Sequence, residues 1–198
     1  MGIYISGHPL DDYEYEVKHY SNCTLEDLDE KKGEGVKLAV VVQSVQHRTS
    51  KKGTGWGLFV VGDHTSATEF ALFSDDYETF SPKLRPGNCV LIDASYQERW
   101  GREGEFQLKL NEVSMLEATA EKRGKGVTLQ VPIRLVDEAW IARLEELCQR
   151  HKGPHQLRLT LIEPESEIAM PFLSKRTVLA NTDFLREVQG MGVRYAMG

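Results

Sequence analysis

The sequence predicts a mixed β and α+β protein: a small five-stranded barrel followed by a compact domain of helices against a sheet. Three observations lead there. Between residues 36 and 116, five β-rich runs are separated by short turns, with one helical interval after the third. Beyond residue 126 the pattern changes to alternating strands and amphipathic helices. Between the two lies 117–126, a charged stretch with two glycines that is expected to be a linker.

The first run, 36–45, is dense in β-branched residues (Val36, Val40, Val41, Val42, Val45), which fit the pleated surface of a small closed barrel. Runs 56–61 and 68–73 flank Gly62-Asp-His-Thr-Ser-Ala67, a polar hairpin turn. Alternation turns Phe59, Val61, Phe70 and Leu72 inward, and Trp56, Leu58, Val60, Glu69, Ala71 and Phe73 outward. Phe73, Tyr77, Phe80 and Leu84 then recur at helical spacing, with Ser74 as the expected N-cap and Pro82 and Pro86-Gly87 as terminators. Runs 88–97 and 106–116 complete the set, joined by the glycine-bearing stretch 99–104. A helix between strands three and four of a five-stranded barrel is the arrangement of an OB fold, which mostly binds nucleic acid or protein rather than catalysing.

In the second domain, Val127, Leu129, Val131, Ile133 and Leu135 alternate as a half-buried strand. Asp137 caps a helix that places Trp140, Leu144, Leu147 and His151 on one face, packed on the sheet. Gly153-Pro154 is expected to break the chain before a strand carrying Leu157, Leu159 and Leu161. Extended pieces at 168–173 and 177–179 suggest a hairpin. A last helix starts at Asn181 or Thr182, carries Phe184, Leu185 and Val188, and closes at Gly190. The expected order is β-α-β-β-β-α.

Composition bounds the function. At 198 residues and 40% hydrophobic content, the chain can build one or two cores. No apolar run approaches the ~20 residues of a membrane span, and the amino terminus lacks a signal-peptide core, so a cytoplasmic protein is expected. Cys23, Cys89 and Cys148 are far apart and lack metal-site spacing, which reads as reduced thiols with no metal and no cofactor. The net charge of −6 lies entirely in residues 1–35; residues 36–116 carry −1 and residues 117–198 carry +1. That balance excludes a polybasic binder and leaves local, weak DNA contact.

The barrel's cations sit in two loops, each with an indole. One holds Arg48, Lys51, Lys52 and Trp56; the other holds Arg99, Trp100 and Arg102. Cations for phosphates and aromatics for bases are what a single-strand binder needs, and Phe73 adds a second platform beside Trp56. The alternative is solvated loop charges and tryptophans packed on the barrel rim. Glu69 on the same face favours that second view, in which the barrel is an interaction or spacing module.

Other chemistry is weaker. His8 invites a role as base or ligand, but no acid, Cys or His partners stand at ligand spacing, and a turn histidine before proline accounts for it. Asp75-Asp76 fall in the first turn of a helix, where acids suit the dipole, rather than forming a metal site. Gly53-Thr-Gly-Trp-Gly57 opens a strand instead of a helix and so lacks a phosphate-binding N-terminus.

Residues 1–35 read as a connector, and Tyr4-Ile-Ser-Gly-His-Pro-Leu10 within them makes the resemblance specific. It is similar to the YxSGHPL signature that precedes the OB domain of bacterial DNA polymerase III alpha subunits, the C-family replicative polymerases. The spacing from Lys51-Lys52-Gly53 through Phe59 to 69–73, Tyr77 and Leu84 is also similar, as is the terminal unit. One departure is Gly62-Asp63-His64, where the family more often has a doubly acidic or arginine-bearing turn, so no nucleic-acid contact is inferred for His64. The resemblance implies a carboxy-terminal piece of a larger bacterial replisome protein. In the family, the OB domain lies near the single-stranded template and the terminal domain docks the tau subunit of the clamp loader. The polymerase carboxylates, the PHP domain and the main clamp-binding motif lie upstream of such a signature, so no catalysis is expected here. For the tau contact, exposed residues of the last helix and tail are expected, among them Arg186, Met191 and Tyr195.

Overall fold

The computed structural model describes residues 7–51, 53–99, 101–163 and 168–197. The chain forms two compact units, Met1–Thr119 and Ala120–Gly198.

In the first unit five antiparallel strands run β1 (Gly35–Thr49), β2 (Gly55–Gly62), β3 (Ala67–Phe73), β4 (Cys89–Glu98) and β5 (Phe106–Met115), ordered β3-β2-β1-β4-β5. Their inward positions build one apolar core in which Val36, Leu38, Phe59, Val61, Val90 and Ile92 are fully buried. The expected alternation holds: Phe59, Val61, Phe70 and Leu72 are buried, while Trp56, Leu58, Val60 and Ala71 are half-exposed and Glu69 and Phe73 exposed. The first strand is longer than predicted. A bulge between Val42 and Ser44 lets β1 continue to Thr49 and pair with β2 as an arm whose residues are largely exposed.

Helix α2 (Ser74–Phe80) follows β3 where the spacing placed it, but the cap differs. Phe73 occupies the N-cap position without a side-chain bond, because it is still extended and paired with Trp56. Ser74 turns the chain with a left-handed φ of 48° and is not the cap.

The leading segment packs on the barrel. Its 3₁₀ turn Pro9–Tyr13 and helix α1 (Glu14–Tyr20) bring Leu10, Tyr13, Val17 and Tyr20 against Ala39, Val41, Cys89 and Leu91. His8 caps that turn: its Nδ1 accepts from the Leu10 N–H at 3.2 Å, and its backbone N–H donates to Asp11 Oδ2 at 2.7 Å. Asp11 Oδ1 lies 2.8 Å from His64 Nε2, and the His8 and His64 rings are 4.3 Å apart, which ties the segment to the β2–β3 turn. A second tie runs through Asp63, whose Oδ2 accepts from the Leu25 N–H at 2.7 Å while Leu25 and Leu28 enter the barrel core. Burial pushes the Asp63 carboxyl up, but hydrogen bonds from Thr65, Leu25 and Ser66 outweigh it and hold the group below its ordinary value.

The stretch expected as a linker holds helix α3 (Leu116–Arg123), on which Leu116 and Ala120 are buried.

The second unit is a four-stranded sheet ordered β8-β7-β6-β9, from β6 (Val127–Pro132), β7 (Lys152–Glu163), β8 (Ile168–Val178) and β9 (Arg194–Met197). Strands β6 and β7 are parallel, joined through helix α4 (Glu138–Arg150). Asp137 caps α4 by accepting from the Trp140 N–H at 2.7 Å, and Asn181 caps α5 (Thr182–Gly190) by accepting from the Phe184 N–H at 3.1 Å.

Four expectations need correction here. Ile133 and Leu135 lie in a 3₁₀ turn because Pro132 ends β6, so their alternation is not a strand. Gly153-Pro154 does not break the chain. It sits inside β7 at a register irregularity, where a Cβ on Gly153 would lie 2.6 Å from the Leu179 backbone. The two extended pieces after residue 168 are the single strand β8. A final strand, β9, pairs antiparallel with β6, making the order β-α-β-β-α-β.

Candidate nucleic-acid interface

The β1–β2 arm positions the first loop. Register sets Arg48 opposite Trp56 and Trp56 opposite Phe73, so three successive outward positions of β1, β2 and β3 lie side by side. The Trp56 and Phe73 rings stack at 5.5 Å with 20° between planes, and the Arg48 guanidinium sits 5.4 Å from the indole centroid. Phe73 is 54% exposed, so the stack presents an open aromatic face. Lys51, at the arm's turn, is exposed and makes no ion pair among the described residues; Lys52 lies outside them.

The arm's other face is fixed by α2. Tyr77 Oη lies 2.9 Å from His47 Nδ1, and the Tyr77 ring covers Gly55 and Gly57. A Cβ at Gly55 would meet that ring at 2.8 Å, which is why a glycine stands at this strand position. Sequence reasoning placed Tyr77 on the helix but missed this prop, since a hydroxyl reaching across 30 residues leaves no periodic signal.

The second loop differs from the first in its electrostatics. Arg99 and Arg102 both face Glu105, at 3.8 Å and 3.2 Å from Oε2, so one carboxylate partly neutralises two expected phosphate contacts. Trp100 lies outside the described residues. Between β3 and β5 the surface opens into a cavity of about 260 Å³ bordered by Glu69, Phe73, Tyr96, Arg99, Glu105 and Phe106. Burial, with the hydrogen bond to Asp29, pushes the Tyr96 hydroxyl up. The structure thus sets Arg48, Trp56 and Phe73 side by side across β1, β2 and β3, with Lys51 at the arm's turn and Arg99 bordering the same cavity as Phe73.

The residues proposed for partner contact fare differently. Arg186 is exposed on α5, and Tyr195 is half-exposed on β9 opposite Leu129. Met191 is only 7% exposed and is corrected: it continues the apolar stripe of Phe184 and Val188 into the core. That spacing was visible in the sequence. Burial raises the Cys23, Cys89 and Cys148 thiols above their ordinary value, which makes them poor nucleophiles. Among the described residues no group of three or more His, Cys, Asp or Glu is placed to hold a metal ion, and no helix is long and apolar enough to cross a membrane.

Comparison with known proteins agrees with both units. Residues 36–116 match the family described as OB-fold nucleic acid binding domain, and residues 127–188 match the family of the C-terminal domain of the DNA polymerase III alpha subunit. The DNA polymerase III subunit alpha of Thermus aquaticus is 30% identical over 172 residues, covering 84% of this chain and 14% of that protein. Its counterpart from Saccharopolyspora erythraea is 24% identical over 96% of this chain and 16% of that protein. The Escherichia coli K12 counterpart is 20% identical over 96% and 17%. The chain therefore spans only 14–17% of the length of these relatives. Among solved structures, the second OB-fold domain of replication protein A from Methanococcus maripaludis aligns with 43% of this chain and 87% of that chain, at 11% identity and a TM-score of 0.29.

Proposed function

Because this chain is related along most of its length to the C-terminal region of DNA polymerase III alpha subunits, we propose that it serves as a non-catalytic part of such a protein in the bacterial cytoplasm. The OB unit contacts single-stranded template DNA, and the terminal unit docks the clamp-loader tau subunit. The observation that carries the DNA contact is the stacked Trp56–Phe73 pair on the outward face, with Arg48 over the indole and Lys51 at the tip. Bases stack on exposed aromatics whatever their sequence, and the flanking cations meet phosphates.

A titration with labelled oligodeoxythymidine at low salt tests this. Stacking is worth ~1–3 kcal/mol per base, so Trp56→Ala should weaken binding about five- to 150-fold at every salt concentration. Each phosphate contact adds about −0.7 to the slope of log K against log salt, so Lys51→Ala with Lys52→Ala should flatten it. Parent-like binding by both variants refutes the arm as the contact. Primer extension by the purified chain, above a contamination control, refutes the non-catalytic reading.

A second reading is favoured by Glu69 on the same face and by the Glu105 pairs on Arg99 and Arg102. In it the barrel spaces or binds protein without significant DNA affinity. Absence of oligonucleotide binding by the parent at low salt decides for it.

A further inference from the structure

In the second unit the helical layer does not cover the sheet. Helices α4 and α5 are tied together by Glu187, which accepts from Arg150 at 2.6 and 3.0 Å and lies 3.0 Å from His151 Nε2. Their apolar faces bury Leu144, Leu147, Phe184, Leu185 and Val188, and β6 buries Val127, Leu129 and Val131. The outer half of the β7–β8 ladder lacks such a cover. Leu159 pairs with Phe172 and Leu161 with Met170, so these four side chains share one face. The leucines are half-exposed, Phe172 is 50% exposed and Met170 is 39% exposed. Across from them, Ile141 on α4 is 47% exposed. Between α4 and this face runs an open apolar groove of about 500 Å³ that Val136, Trp140, Leu157 and Leu159 help to line.

We propose that this groove is the docking site for an amphipathic helix of a partner protein, apolar on one face and acidic along one flank. The proposal rests on the reading that the terminal unit docks tau, and it names the surface and the chemistry. A two-layer domain buries one sheet face under helices, and the uncovered strip beside α4 is where one more helix completes that layer. The charge at the rim sets the flank. Lys175 and Arg176 border the groove, while Glu145 is the one carboxylate lining it among the described residues. Glu145 is paired with Arg176 at 3.2 Å, and Lys175 is exposed with no carboxylate partner among the described residues. A partner's acidic side chains meet that excess positive charge; a basic flank is repelled.

The test measures binding of purified cognate tau to the full chain by calorimetry. Ile141→Glu and Phe172→Glu alter exposed side chains at the groove mouth, so the fold is retained and circular dichroism checks it. Both should weaken tau at least tenfold, and Lys175→Glu should weaken it by reversing the rim charge. Leu173→Glu, 69% exposed and on the opposite face of the same strand, should bind tau like the parent. Hydrogen exchange on tau should show one protected segment with apolar residues at helical spacing.

If tau binds the parent and both groove variants equally, the groove proposal fails while the tau reading stands. If the parent does not bind tau at all, both fail. A protected tau segment that alternates as a strand overturns the helix. A fall in the chain's own oligomeric state caused by Phe172→Glu, seen by sedimentation, would instead show a second copy in the groove and overturn the proposal.

Discussion

Replacing Asp63 by Asn should weaken the hold of the leading segment on the barrel at a measurable cost. The carboxylate takes four hydrogen bonds: Oδ2 from the Leu25 N–H at 2.7 Å, and Oδ1 from the Thr65 N–H, the Thr65 hydroxyl and the Ser66 N–H at 2.8, 2.6 and 2.9 Å. Asparagine has one carbonyl oxygen. If that oxygen keeps the three turn donors, its amide nitrogen faces the Leu25 N–H, donor against donor. Leu25 is buried, so water does not readily restore the bond. A hydrogen bond to a charged group is worth about 1.5–3 kcal/mol, and that is the expected destabilisation at pH 7. Asp63→Ala should cost about 1 kcal/mol more, a modest increment because the Thr65 and Ser66 donors are exposed and rehydrate.

The pH dependence supplies an independent check. The folded-state pKa of Asp63 is below its ordinary value of 3.8, so its contribution is fully present above that value and is lost as pH falls through the folded pKa. The gap between parent and Asp63→Asn should therefore narrow below pH 3.8. Urea unfolding, followed by tryptophan fluorescence in a Trp140→Phe background, reports the barrel without the second unit. A gap smaller than about 0.5 kcal/mol at pH 7, the usual spread for surface changes, refutes the reasoning. So does a gap that stays constant as the carboxyl protonates.

Two further perturbations probe other contacts. Gly55→Ala places a Cβ 2.8 Å from the Tyr77 ring, whose far end is held by His47, and should cost about 1–3 kcal/mol by overpacking; the same Ala in a Tyr77→Ala background should cost much less, and equal costs in urea unfolding would sink the steric account. In the second unit, Arg150, then His151, hold the Glu187 carboxyl below its ordinary value of 4.5, so the stability it adds is present above that pH and lost as pH falls through the lowered pKa. Glu187 is partly exposed and screened, so the effect is small; Glu187→Gln should flatten the acid limb of the unfolding midpoint below pH 4.5, and an unchanged limb would refute it.

What the sequence determined by itself was local and periodic. Two-residue alternation sorted 56–61 and 68–73 into buried and exposed sets because successive strand side chains point to opposite faces, and the β-branched density of 36–45 marked a strand because branching at Cβ suits the extended backbone. The caps at Asp137 and Asn181 were legible for the same reason: donor and acceptor lie three residues apart. The aromatic and cationic content of the arm was legible too, as composition. So was the acid that offsets the second loop's charge: Glu105 stands three residues after Arg102 and six after Arg99 and pairs with both, while 48–56 holds no acid and Lys51 has no such partner among the described residues. Tertiary structure alone decided that Trp56 stacks on Phe73, with Arg48 over the indole. It also decided that 9–31 packs on the barrel, through Asp63 reaching Leu25 across 38 residues and His64 reaching Asp11 across 53. Ser74 and Gly153-Pro154 misled because their conformations answer to distant neighbours: Phe73 stays in the sheet to pair with Trp56, and Gly153 makes room for Leu179. Contacts between residues far apart in the chain depend on where the whole backbone goes, and a one-dimensional pattern does not carry that information.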